Sequence, residues 1–110
     1  MLHMVWEGVK GKDNYRIITF EGEELGTLTI CYNEHETRGI AFRVFRTANG
    51  EILIHKYVWE YPPVSLERWA NARDRVQTTE EKWALVYVFP DLAIAAEAGL
   101  HGVLTKLQLI

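Results

Sequence analysis

The sequence predicts an α+β fold: an antiparallel sheet of four or five strands, packed by two or three helices that come late in the chain. Three observations predict it. Residues 1–61 hold runs of alternating, β-branched and aromatic residues separated by Gly, Asn and Asp. Pro62-Pro63 then breaks the pattern. Residues 62–110 carry helix stripes with start and stop residues, and one β-like run at 83–89. Strands that precede helices, rather than alternate with them, put the helices on one face of an antiparallel sheet. A chain of 110 residues makes one domain, 1–110, with a self-standing core.

In chain order, residues 2–9 read as a short first strand, and Gly11-Lys12-Asp13-Asn14 as a turn. Tyr15 to Phe20 and Gly26 to Tyr32 read as two strands joined by Glu21-Gly22-Glu23-Glu24. In the second, Thr27-Leu28-Thr29-Ile30-Cys31-Tyr32 alternates polar and apolar, as a half-buried strand does. Asn33 to Gly39 is a polar connection.

Asn49-Gly50 lies between two apolar runs, and both residues tolerate the positive φ of a type I′ turn, so a hairpin is expected there. A two-residue turn would set Phe45 opposite Ile54, Val44 opposite His55 and Phe42 opposite Tyr57. A three-residue loop with a bulge would shift this pairing by one. The two-residue form is the one expected.

After Pro62-Pro63, Ser65 suits the cap of a helix running to about Gln77, with Leu66, Trp69, Ala70, Ala72 and Val76 on its apolar stripe. Trp83 to Phe89 favours a strand by its aromatic and β-branched content, with helix as the alternative. Pro90-Asp91 suits the start of a helix that stops at Gly99, and a last helix is expected over Leu100 to Leu109.

The bulk properties limit the function. A net charge of −3 argues against global coating of nucleic acid. The charge is uneven, with net −4 over residues 1–37 and net +3 over 38–75. The single cysteine, Cys31, forms no intrachain disulfide. The first residues lack the pattern of a signal peptide, and no apolar run approaches the roughly 20 residues that span a bilayer. A soluble, cytoplasmic protein without a membrane partner is expected. Cys31 and His35 have C-x3-H spacing but lack the second ligand pair a zinc site needs, so neither metal nor cofactor is expected. No phosphate-cradling glycine loop, G-x-S-x-G or H-E-x-x-H occurs, and no catalytic residue is assigned.

Three surfaces remain as candidates. Tyr57, Trp59 and Tyr61 alternate along one strand face. Burial statistics place Trp59 in the core, while Tyr61 ends the strand beside two prolines. Tyr61, Trp69 and Arg73 are therefore the expected contacts of a protein-binding surface, where such residues are enriched. Arg43, Lys56, Arg68, Arg73 and Arg75 would form a basic, phosphate-binding patch if hairpin and helix are neighbours. His55, with Tyr57 on the same strand face, is the polar group of a small-molecule or enzymatic pocket. Against this last reading, His55 is an ordinary mid-strand residue, hydrogen-bonded or partly wet, because no nucleophile or carboxylate can be placed beside it.

From Phe45-Arg46-Thr47-Ala48-Asn49-Gly50 to Glu51-Ile52-Leu53-Ile54-His55, the chain resembles a segment of the small bacterial EXLDI family. That family carries an aromatic-Arg-Thr-x-x-Gly hairpin with a histidine after it. The likeness covers about a tenth of the chain, and the family's C-terminal motif is replaced by Lys106-Leu107-Gln108-Leu109-Ile110. The family has no assigned activity, so the resemblance implies a fold relation and no catalytic residue.

The expected function is a small binding or regulatory module acting through a protein surface. A homodimer is expected to protect the edges of a short open sheet. The alternatives are the basic patch and the His55 pocket.

Overall fold

The computed structural model of the protein describes residues 1–9, 11–32, 38–60 and 80–110. Five strands, β1 (Leu2–Glu7), β2 (Arg16–Cys31), β3 (Arg38–Thr47), β4 (Ile52–Glu60) and β5 (Glu80–Phe89), form one antiparallel meander in sequence order. The sheet curls into a half-barrel. Its outer strands meet where Gly8 and Ala84 exchange two backbone hydrogen bonds of 2.9 and 3.0 Å.

The run 83–89 is a strand, as its residue types favour. Residues 16–31, in contrast, are one strand of 16 residues and not two strands joined at Glu21-Gly22-Glu23-Glu24. Its first part pairs with β1, from Arg16 opposite Glu7 to Glu21 opposite Leu2. Its second part pairs with β3, from Gly22 opposite Thr47 to Cys31 opposite Gly39. An irregularity in the β3 pairing falls between Glu24 and Gly26. A bulge of this kind bends a strand and helps it serve two neighbours in a curled sheet. The acidic side chains look like a loop in the sequence because they are solvated and paired: Glu21 with the N-terminal amine (3.4 Å), Glu23 with Arg46 (3.7 Å) and Glu24 with Arg43 (3.1 Å).

The hairpin register also differs from expectation. Thr47 N–H donates to the Glu51 carbonyl and Gly50 N–H to the Thr47 carbonyl, both at 2.9 Å. The loop is therefore the three residues Ala48–Gly50. A type I′ turn needs positive φ at both central residues. Gly50 has φ 84°, but among the described non-glycine residues only Gln108 is in that region, so Asn49 is not. This is a type I turn closed by a left-handed glycine. Phe45 now faces Leu53, Val44 faces Ile54 and Phe42 faces Lys56.

The one-residue shift sorts the two faces. Ile40, Phe42, Val44, Ile52 and Ile54 gather on one face with Ala95 and Leu104 of the C-terminal helix, joined by Leu28, Tyr87 and Phe89. Val5, Phe45 and Leu53 gather on the other face with Ile18, Phe20 and Val86. All five strands contribute to this second cluster, so it is the face that the curl encloses.

The C-terminal helical segment, α1, covers residues 92–106 as Leu92–Ala95, a wider turn Ala96–Leu100, and His101–Lys106. Asp91 caps it, its Oδ1 accepting from Ile94 N–H at 2.8 Å. With φ 104° Gly99 absorbs a kink, and the chain resumes with Leu104 fully buried against the sheet. The break at Gly99 falls where the sequence expects the first helix to stop, and the two helical pieces run on across it as one kinked segment. The helix expected from Ser65 to Gln77 lies outside the described residues.

Candidate functional site

On β4, side chains alternate between the two faces, so Leu53, His55, Tyr57 and Trp59 share the enclosed one. The neighbours opposite them on β3 are Phe45, Arg43, Ala41 and Gly39 in that order. Trp59 lies over Gly39, where a β-carbon would come within 2.8 Å of its ring. At 7 % exposure it is core, as burial statistics expect.

His55 is almost fully buried, not the partly wet mid-strand histidine of the ordinary reading. It is 2 % exposed, and neither ring nitrogen has a hydrogen-bond partner. Aromatic rings surround it. Trp6 meets it edge-on at 5.7 Å and Tyr57 lies 5.0 Å away, while Tyr15 stands 6.1 Å from Trp6. Burial drives the His55 pKa from 6.5 down to about 4. The Trp6 backbone, close to the ring but outside hydrogen-bonding geometry, opposes this, and the Arg43 charge adds to it. The imidazole is therefore neutral at pH 7, with one donor and one acceptor nitrogen.

Arg43 sits directly across from His55 but is committed elsewhere. Its Nε and Nη2 donate to the two carboxylate oxygens of Glu24 at 3.2 and 3.1 Å. Its guanidinium also lies 4.9 Å from the Phe45 ring centre. The hydrogen bond from Arg43 holds the Glu24 pKa below the usual carboxylate value, against its partial burial.

Of the expected basic patch, the two described members, Arg43 and Lys56, lie on opposite faces of the sheet. Arg43 faces the enclosed side, while Lys56, opposite Phe42, faces the other. The Lys56 Nζ lies 5.7 Å from the Phe42 ring centre and 5.9 Å from that of Trp83. The three-residue loop causes this separation, since it sets Arg43 opposite His55 rather than beside Lys56. Arg68, Arg73 and Arg75 lie outside the described residues, as do Tyr61 and Trp69. Cys31 is exposed and not a buried strand thiol. No group of three His, Cys, Asp or Glu suited to a metal ion occurs among the described residues, and no described helix is long and apolar enough to cross a membrane.

A second feature was not foreseen: the outer edge of β1. Met1 and Gly22 exchange backbone bonds at 3.3 and 3.1 Å. In an antiparallel ladder such pairs alternate. His3, Val5 and Glu7 therefore bond to β2, while Leu2, Met4 and Trp6 turn their backbone groups outward. Gly8 does the same and finds Ala84. The side chains of Leu2 and Met4 share the face of β1 opposite Val5, and are 65 % and 64 % exposed. Ile17, opposite Trp6, is 54 % exposed beside them. The signal was present in the sequence as an N-terminal strand without lysine or proline, the usual guards of an edge.

No protein-family model, curated protein or solved structure matches this chain.

Proposed function

We propose that the protein is a small binding module that pairs with an extended protein segment along the outer edge of β1. The observation that carries this reading is the union of outward backbone groups and exposed apolar side chains at Leu2 and Met4. An exposed apolar edge strand is a template for another strand. Partner chains that bind this way gain main-chain hydrogen bonds and bury alternate side chains.

A second copy of the chain fits the edge. In Leu2–Glu7 only Glu7 carries a formal charge, counting histidine as neutral, and it is paired with Arg16. Two such edges meet without repulsion. A two-fold axis through His3 sets Leu2 of one protomer opposite Met4 of the other, in the outward hydrogen-bonding phase. It then clusters two Leu2 and two Met4 side chains on one face.

Light-scattering mass over a concentration series tests this. Wild type is expected to approach dimer mass, and Met4→Pro to stay monomeric with an unchanged circular dichroism spectrum. The proline removes an outward N–H and spares the β1–β2 ladder. A wild type that remains monomeric, or a Met4→Pro protein that still dimerises, overturns the reading.

A further inference from the structure

We propose that His55, with Trp6 and Tyr57, forms a binding site for a small, uncharged, planar molecule that carries a hydrogen-bonding edge. The site shares Trp6 with β1 but uses its side chain, together with His55 and Tyr57, whereas strand pairing uses the outward backbone of Leu2 and Met4.

Unmet hydrogen bonding points to a ligand first. Both His55 ring nitrogens are buried without a partner. Native proteins pair nearly all such groups, because each one left bare costs about 1–3 kcal/mol. A retained cost of this kind at an aromatic cluster points to a group that completes it. The ring offers one donor and one acceptor, which a carboxamide-like edge matches.

Shape points the same way. Trp6 stands 5.7 Å from His55 and 6.4 Å from Tyr57, and Tyr57 lies 5.0 Å from His55. Trp6, Tyr15 and Tyr57 are each half-buried, and His55 beside them is almost fully buried. Aromatic walls favour a flat guest by stacking or edge contact.

Charge selects the class of guest. The cation nearest to His55 by strand pairing, Arg43, is held on two oxygens by Glu24. Little positive charge is left over to hold an anion, and a cation would meet the guanidinium. The neutral imidazole adds no charge of its own at pH 7.

The test uses the full chain with ring-¹⁵N histidine at pH 7, titrated with benzamide and, separately, benzoate. The two probes share shape and differ in charge. Benzamide is expected to shift the His55 ring nitrogens saturably and to bind at least tenfold more tightly than benzoate. His55→Phe, which keeps a buried ring, is expected to abolish benzamide binding. Tighter binding of benzoate at His55 would overturn the uncharged class while leaving a ligand site standing. No saturable shift with either probe, or a buried water as the only partner of the ring, would overturn the site itself. None of these outcomes bears on dimer mass, so the proposed function stands or falls separately.

Discussion

Arg43 and His55 face each other across β3 and β4 and have opposite fates. Arg43 is locked to Glu24 by two hydrogen bonds, whereas His55 is almost fully buried with both ring nitrogens bare. A committed cation beside an unpaired neutral imidazole makes this part of the sheet sensitive to pH.

The pH dependence has a definite sign. The folded pKa of His55 lies near 4, below its ordinary 6.5. The unfolded chain therefore takes up a proton that the folded chain refuses. Stability from this residue is complete above about pH 6.5 and is lost as pH falls toward 4, by at most about 3 kcal/mol. Thermal midpoints measured from pH 7.5 to 4.5 are expected to fall in wild type. His55→Phe is expected to flatten that fall and to match or exceed wild type at pH 7, because it removes two unsatisfied polar atoms.

Proline scanning of β1 separates its two edges. Val5 is 1 % exposed, and its backbone bonds inward to β2 by the alternation of the ladder. Val5→Pro is expected to cost about 3 kcal/mol or more, seen as loss of the cooperative urea transition. Met4→Pro is expected to shift the urea midpoint little, since its N–H faces outward.

The hairpin loop predicts an asymmetry between adjacent residues. Gly50 has φ 84°, and among the described residues nothing beyond its chain neighbours comes within 4 Å of where a β-carbon would stand, so the cost of a substitution there is backbone strain. Gly50→Ala is expected to destabilise by about 1–2 kcal/mol in urea unfolding. Asn49→Ala is expected to change stability by less than about 0.5 kcal/mol. A type I′ turn would make both substitutions costly.

Leu104 ties the kinked helix to the sheet and is fully buried among Phe42, Val44 and Ile54. Leu104→Ala is expected to cost about 3 kcal/mol, lowering the thermal midpoint by about 13 °C.

Much of the fold is legible in the residues themselves. Alternation marks the strands, Pro90-Asp91 marks the start of α1, and Asn49-Gly50 marks the hairpin. The core position of Trp59 follows from its type and place on β4. These features depend on period and on the φ preferences of single residues, which act over a few positions.

Other features depend on partners far along the chain. Nothing local distinguishes a solvated, bulged strand at Glu21–Glu24 from a turn. The difference lies in β1 and β3, which take successive parts of β2. The loop length at Gly50 is likewise decided where Ile52 and Ile54 meet α1 and where Leu53 meets Phe45. That single step of register puts Arg43, rather than Val44, opposite His55. The Gly8–Ala84 clasp joins residues 76 positions apart, and His55 lies buried beside Trp6 in the curl that it closes. Sequence determined most of the segments that become strand and helix, Glu21–Glu24 excepted. Only tertiary closure decided which side chains face each other, because register is chosen by the packing of both faces at once.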